Sequence, residues 1–105
     1  MSRPTAYWYG YVEKVLSRYP KQLREDATPQ AAIAELAIKT AIDQTLKEYW
    51  DGKSRVDLIS MVYIKKTHTL TGAAGKLYIS ERTAKRWKKK FILLVAKNMG
   101  LVIGD

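Results

Sequence analysis

The stretch from Ser80 to Gly100 leaves little choice of local structure. With Ala84 set at zero and about 100° per residue, Trp87, Phe91, Leu94 and Val95 fall within a stripe roughly 100° wide. Arg82, Lys85, Arg86 and Lys89 cluster on the opposite side. Ser80 is a strong N-cap, since its hydroxyl can accept from a backbone N–H that has no partner inside the helix. Gly100 suits the left-handed turn that ends a helix. The spacing predicts a helix over 81–98, with four cations facing away from the core and no anion among them.

The same periodicity organises the rest of the chain. A first helix is predicted over 5–19, with Trp8, Tyr11, Val12, Val15, Leu16 and Tyr19 on one stripe and Pro20 ending it. Residues 21–28 read as a polar loop. Thr28-Pro29 reads as an N-cap followed by proline at the first helical position. The second helix then runs to about residue 50, with Ala34, Ala37, Ile38, Ala41, Ile42 and Tyr49 on its stripe. Ile33, Leu36 and Leu46 lie off that stripe, so this helix is expected to lie between others. Asp57 or Ser54 can cap a third helix reaching about residue 66 through Leu58, Ile59, Val62 and Tyr63. Thr69 or Thr71 can cap a short fourth carrying Ala73, Ala74 and Leu77. No useful run alternates as a strand would. The expected fold is all-α: one domain over 1–105, a small bundle of four to five helices. Its N-terminal part, 1–52, supplies core and a candidate oligomerisation surface, and 56–99 forms a helix-turn-helix part.

Composition narrows what such a bundle does. The 105 residues contain no cysteine, which removes disulfides and thiolate metal sites. The net charge is +9, and it is unevenly placed. Residues 65–105 carry ten Lys and Arg against Glu81 and Asp105 alone, a balance of +8; residues 1–64 are near neutral at +1. A one-sided field repels itself, so it points to an anionic partner, nucleic acid before an acidic membrane surface. No segment has the length and apolarity of a signal peptide or a membrane span. The expected setting is the cytoplasm, without a membrane partner.

Between Leu70 and Phe91 the residues have the parts of a helix-turn-helix. Ala74 is small enough for two helices to cross closely, Leu77-Tyr78-Ile79 can plug the joint, and Ser80 caps the next helix. In that motif the start of the second helix meets base edges in the major groove. The candidate DNA-contacting residues are Ser80, Glu81, Arg82, Thr83, Lys85, Arg86, Lys88 and Lys89. Glu81 sits where a helix N-terminus tolerates an acid, and it can accept from a cytosine amino group. An ordinary solvated face would intersperse acids for i,i+4 pairing, which this one does not.

Other signals are weaker. Gly72-Ala73-Ala74-Gly75-Lys76 has the wrong gap and no Ser or Thr for a phosphate loop, and no strand flanks it as an RNA-binding Gly-x-x-Gly clamp requires. His68 is the only histidine, and no nucleophile and base have a recognisable spacing, so neither an enzyme nor a metal or cofactor is expected. The aromatic residues sit mostly on helical apolar stripes, which favours packing over base stacking. Tyr7, Tyr9, Ile92 and Leu93 fall at or beyond their stripes' edges. They are expected to pack on the N-terminal helices or on a second copy of the chain.

Leu77-Tyr78-Ile79-Ser80-Glu81-Arg82-Thr83, followed by Trp87 and a basic-apolar tail, resembles the helix-turn-helix of RinA/ArpU-type phage transcriptional regulators. Tyr7-Trp8 and Tyr19-Pro20 are similar to elements of that group. The segment also resembles sigma-factor region four, where an Ile-Ser-x-x-Thr run opens the recognition helix. The resemblance covers residues 56–99 well and 1–55 weakly. It implies a sequence-specific regulator of phage or prophage late genes in a bacterial host. It also implies that Ser80, Arg82, Thr83, Lys85, Arg86 and Lys89 face DNA. Tyr78 departs from the pattern, because glycine often stands there to supply a left-handed backbone; Gly72 replaces the usual acid before the Ala pair. Host RNA polymerase is a further candidate partner, and a homodimer a candidate assembly. The competing function is a small terminase subunit that recognises DNA for phage packaging.

Overall fold

Thr28 and Pro29 open the longest helix as their chemistry dictates. The computed structural model describes residues 7–102. In it the Thr28 side chain accepts from Ala31 N at 3.2 Å, and α3 runs Pro29–Glu48. Before it come α1, Tyr7–Arg18, and α2, Lys21–Glu25. After it come α4, Gly52–Ile59, which continues into a π-helical turn over Ser60–Ile64, then α5, Leu70–Lys76, and α6, Glu81–Asn98. The fold is all-α, with no strand among the described residues and six helices in place of the four to five expected. No helix of the described residues is long and apolar enough to cross a membrane.

The additional helix is α2, in the segment expected to be a polar loop. It has one apolar residue, Leu23, which is buried in the main core. A single apolar side chain carries no period, so burial alone decides this helix. In α1, Val12, Val15 and Leu16 are buried as the stripe predicts, but Tyr11 is exposed. The expected start of this helix at Thr5 lies outside the described residues.

The start of α4 is set by packing rather than by a cap. The helix opens at Gly52, not after Ser54 or Asp57, and Asp51 precedes it without a side-chain cap bond. Gly52 lies against the end of α3: a Cβ there would run into the Thr45 carbonyl oxygen and lie 2.8 Å from Leu46 Cα. Asp57 falls inside the helix, where it pairs with Lys53 at 3.1 Å. In the π-helical turn Tyr63 is buried, and its hydroxyl donates to the Glu13 carboxylate on α1. Burial, and then that acceptor, push the Tyr63 hydroxyl pKa upward, which keeps it a donor.

Two apolar clusters share α6. The larger joins α1, α2, the alanine face of α3, Ile59 and Tyr63 to Phe91, Ile92, Val95 and Ala96. The smaller gathers Leu58, Ala73, Ala74, Ala84 and Trp87, with Leu77 and Ile79 packed against it. The N-terminal half of α6 is therefore held by α4 and α5, and its C-terminal half by α1 and α3. Ala31, Ala34, Ala37 and Ala41 are buried, and such small side chains let neighbouring helices approach closely. Asn98 clamps the far end, its Nδ2 donating to the Ala37 carbonyl at 3.2 Å and to Gln44 Oε1 at 3.0 Å. The other side of α3 is uncovered: Ile33, Leu36 and Leu46 are exposed, contrary to the expectation that this helix lies between others.

Candidate nucleic-acid interface

Thr69, not Thr71, caps α5, accepting from Gly72 N at 3.0 Å. Ala73 and Ala74 face inward against Ala84 and Trp87, so α5 and α6 meet on small side chains. The helix ends in a Schellman turn. Ile79 N donates to the Ala74 carbonyl at 3.0 Å, and Tyr78 N donates to that of Gly75 at 3.2 Å. That turn needs a left-handed residue at its centre, and Tyr78 supplies it with φ +59. The same two bonds close α6, where Gly100 takes the left-handed position with φ +78. At the α5 turn, Leu77 and Ile79 pack into the smaller cluster while Tyr78 stands 95% exposed.

Ser80 then caps α6. Its Oγ accepts from Thr83 N at 3.0 Å and donates to Thr83 Oγ1 at 2.9 Å, so this hydroxyl is engaged locally. Thr83 is half-buried. Ala84, Trp87, Phe91 and Val95 are buried, while Arg82, Lys85, Arg86 and Lys89 are exposed together on the opposite face. Lys90 is exposed as well. Glu81 pairs with Lys85 at 3.6 Å, so one acid does stand among the cations. Both partners are exposed, and such a pair contributes little. Arg82, Arg86 and Lys89 make no ion pair among the described residues. Lys88 stands apart from this set: at about 100° per residue it falls between the core stripe and the basic face, and it is half-buried.

Arg55 adds a support that the sequence reading did not single out. Its guanidinium stacks 3.7 Å from the centre of the Tyr49 ring and 5.1 Å from that of Trp87. Its Nε donates to Asp51 at 2.8 Å, with both side chains largely buried. The cation thereby ties the end of α3 and the start of α4 to the middle of α6. The Asp51–Arg55 spacing was the available sequence signal, a favourable i,i+4 pair on a helix start. Beside this stack an open cavity of about 310 Å³ is lined by Leu93, Leu94, Lys90 and Lys97 from α6 and by Thr45 and Glu48 from α3. Leu93, which periodicity sets beyond its stripe's edge, is half-buried beside this cavity. Ile92 is fully buried in the main core. No cluster of three or more His, Asp or Glu able to hold a metal ion occurs among the described residues.

The arrangement is a rigid pair of short-linked helices whose outer face carries unpaired cations at the N-terminal end of α6. Such a face offers charge-assisted donors to phosphates and long, forked donors to base edges. Compared with known proteins, the chain matches no family model, no curated protein and no solved structure.

Proposed function

We propose that this chain is a sequence-specific, double-stranded DNA-binding protein of helix-turn-helix type that lays α6 in the major groove. The observation carrying this reading is the cation face of α6, Arg82, Lys85, Arg86 and Lys89, exposed beside a tightly capped turn on a helix anchored in two cores. Anchoring matters because base reading needs side chains delivered at fixed positions, and a helix held along both halves supplies that. Arg82 and Lys85 read bases, Arg86 and Lys89 meet phosphates, and Ser80 and Thr83 fix the helix start. The role assigned by the resemblance is regulation of phage or prophage late genes in the bacterial cytoplasm, with host RNA polymerase as a further partner.

The test is selection from a random DNA library with the purified protein, followed by titration of the enriched site over a range of salt. One enriched motif is expected, with a log–log salt slope near −4.5 if about five phosphates are neutralised. Arg82→Ala or Lys85→Ala should relax discrimination between sites by about 1–3 kcal/mol, whereas Lys89→Ala weakens all DNA alike. Equal losses on every sequence for all three variants refute the assigned reading face.

A further inference from the structure

The bundle buries one side of α3 and leaves its opposite side bare. Ile33, Leu36 and Leu46 are exposed there, Leu36 to 65%, and Trp50 just beyond the helix end is 97% exposed. At about 100° per residue, the centre of this apolar face lies opposite the buried Ala34, Ala37 and Ala41. Exposed apolar side chains of this size at both ends of one helix face, with Lys39 and Asp43 between them, mark an interaction surface. Their order along the helix says which partner fits. Within α3, Leu36 with Leu46 and Lys39 with Asp43 are each placed symmetrically about Ala41, while Ile33 and Trp50 lie outside these pairs towards the two ends.

A two-fold contact between antiparallel copies of one helix brings each residue opposite its mirror position along the sequence. About Ala41 that register sets apolar against apolar at both ends, and Lys39 against Asp43 of the second copy on both sides of the axis. A parallel pairing would instead set Lys39 on Lys39 and Asp43 on Asp43, like charge on like. Neither Lys39 nor Asp43 has an ion-pair partner within the chain among the described residues.

We infer that a second copy of this chain covers the exposed face of α3, in an antiparallel two-fold dimer centred near Ala41. This inference is independent of DNA binding, because the face involves neither α5 nor α6. The test is sedimentation equilibrium of the full chain over a wide concentration range, with charge reversals. All substituted positions are exposed, so unchanged circular dichroism and melting temperature are expected for every variant. The wild type should form a dimer. Leu36→Lys, Lys39→Asp and Asp43→Lys should each weaken it about tenfold or more, since each acts twice in a two-fold interface. The double variant Lys39→Asp, Asp43→Lys restores opposite charges and should recover most of the wild-type affinity. A wild type that stays monomeric, a larger ring, reversals without effect, or a double variant no tighter than the singles overturns the inference.

Discussion

Tyr78→Gly should make this protein more stable, although it deletes the larger side chain. Tyr78 holds φ +59 at the centre of the α5 Schellman turn. A left-handed backbone brings Cβ too close to the following carbonyl oxygen, at a cost of about 1–2 kcal/mol for an L-residue, and glycine is free of it. Against this, glycine widens the unfolded ensemble, which costs about 0.4–1 kcal/mol. The lost side chain subtracts almost nothing, because Tyr78 is 95% exposed. The net gain is about 0.5–1 kcal/mol, or a rise in Tm of roughly 2–8 °C for a domain of this size. Gly100→Ala provides the reciprocal measurement. Gly100 occupies the same position in the α6 turn at φ +78, and a Cβ there meets nothing within 4 Å. Only the backbone conformation opposes alanine, so this variant should lose about 1 kcal/mol or slightly less. Thermal and urea unfolding followed by circular dichroism measure both. A destabilised Tyr78→Gly, or an unchanged Gly100→Ala, would refute the account of the two turns.

Two further outcomes follow from the packing and the ion pairs. Gly52→Ala should destabilise by about 1–3 kcal/mol, because the added Cβ meets backbone atoms of Thr45 and Leu46 that cannot rotate away; a urea midpoint equal to wild type would show that the α3–α4 contact is looser. Asp26 accepts from Arg18 at 2.8 Å and from Thr28 N at 3.0 Å, and these bonds, Arg18 first, hold its carboxyl below the usual range. A depressed folded-state value adds stability above the unfolded pKa of about 3.9, and that stability is lost as pH falls through the folded value. The stability difference between wild type and Asp26→Asn should therefore be largest near neutral pH and shrink as the solution is acidified below the unfolded pKa. A difference independent of pH would assign the effect to packing.

What the sequence determined by itself was local. Thr28 and Ser80 cap their helices because a hydroxyl three residues before a free N–H reaches it without help from distant parts of the chain. The division of α6 into Trp87, Phe91 and Val95 on one side and Arg82, Lys85, Arg86 and Lys89 on the other follows from the helical period alone. That Tyr78 stands where glycine is favoured came from the resemblance to the helix-turn-helix pattern, and the turn's hydrogen bonds make it left-handed. Thus the residues of the candidate interface were legible almost entirely, apart from Lys88, whose angular position sets it off the basic face, and Arg55, whose place over Trp87 depends on how α4 packs against α6.

Only the tertiary structure decided the features that depend on distant partners. Leu23 makes α2 a helix by entering a core built by α1, α3 and α6. Gly52 starts α4 because the end of α3 admits no Cβ. Ile92 is buried although it lies off its helix's stripe, since α6 passes through two clusters and is covered on more than one side. The reverse holds for Ile33 and Leu36: their apolarity predicted a neighbour, and this chain supplies none. Periodicity reports which face of a helix is apolar, whereas the number of faces covered is set by how the other helices are arranged around it.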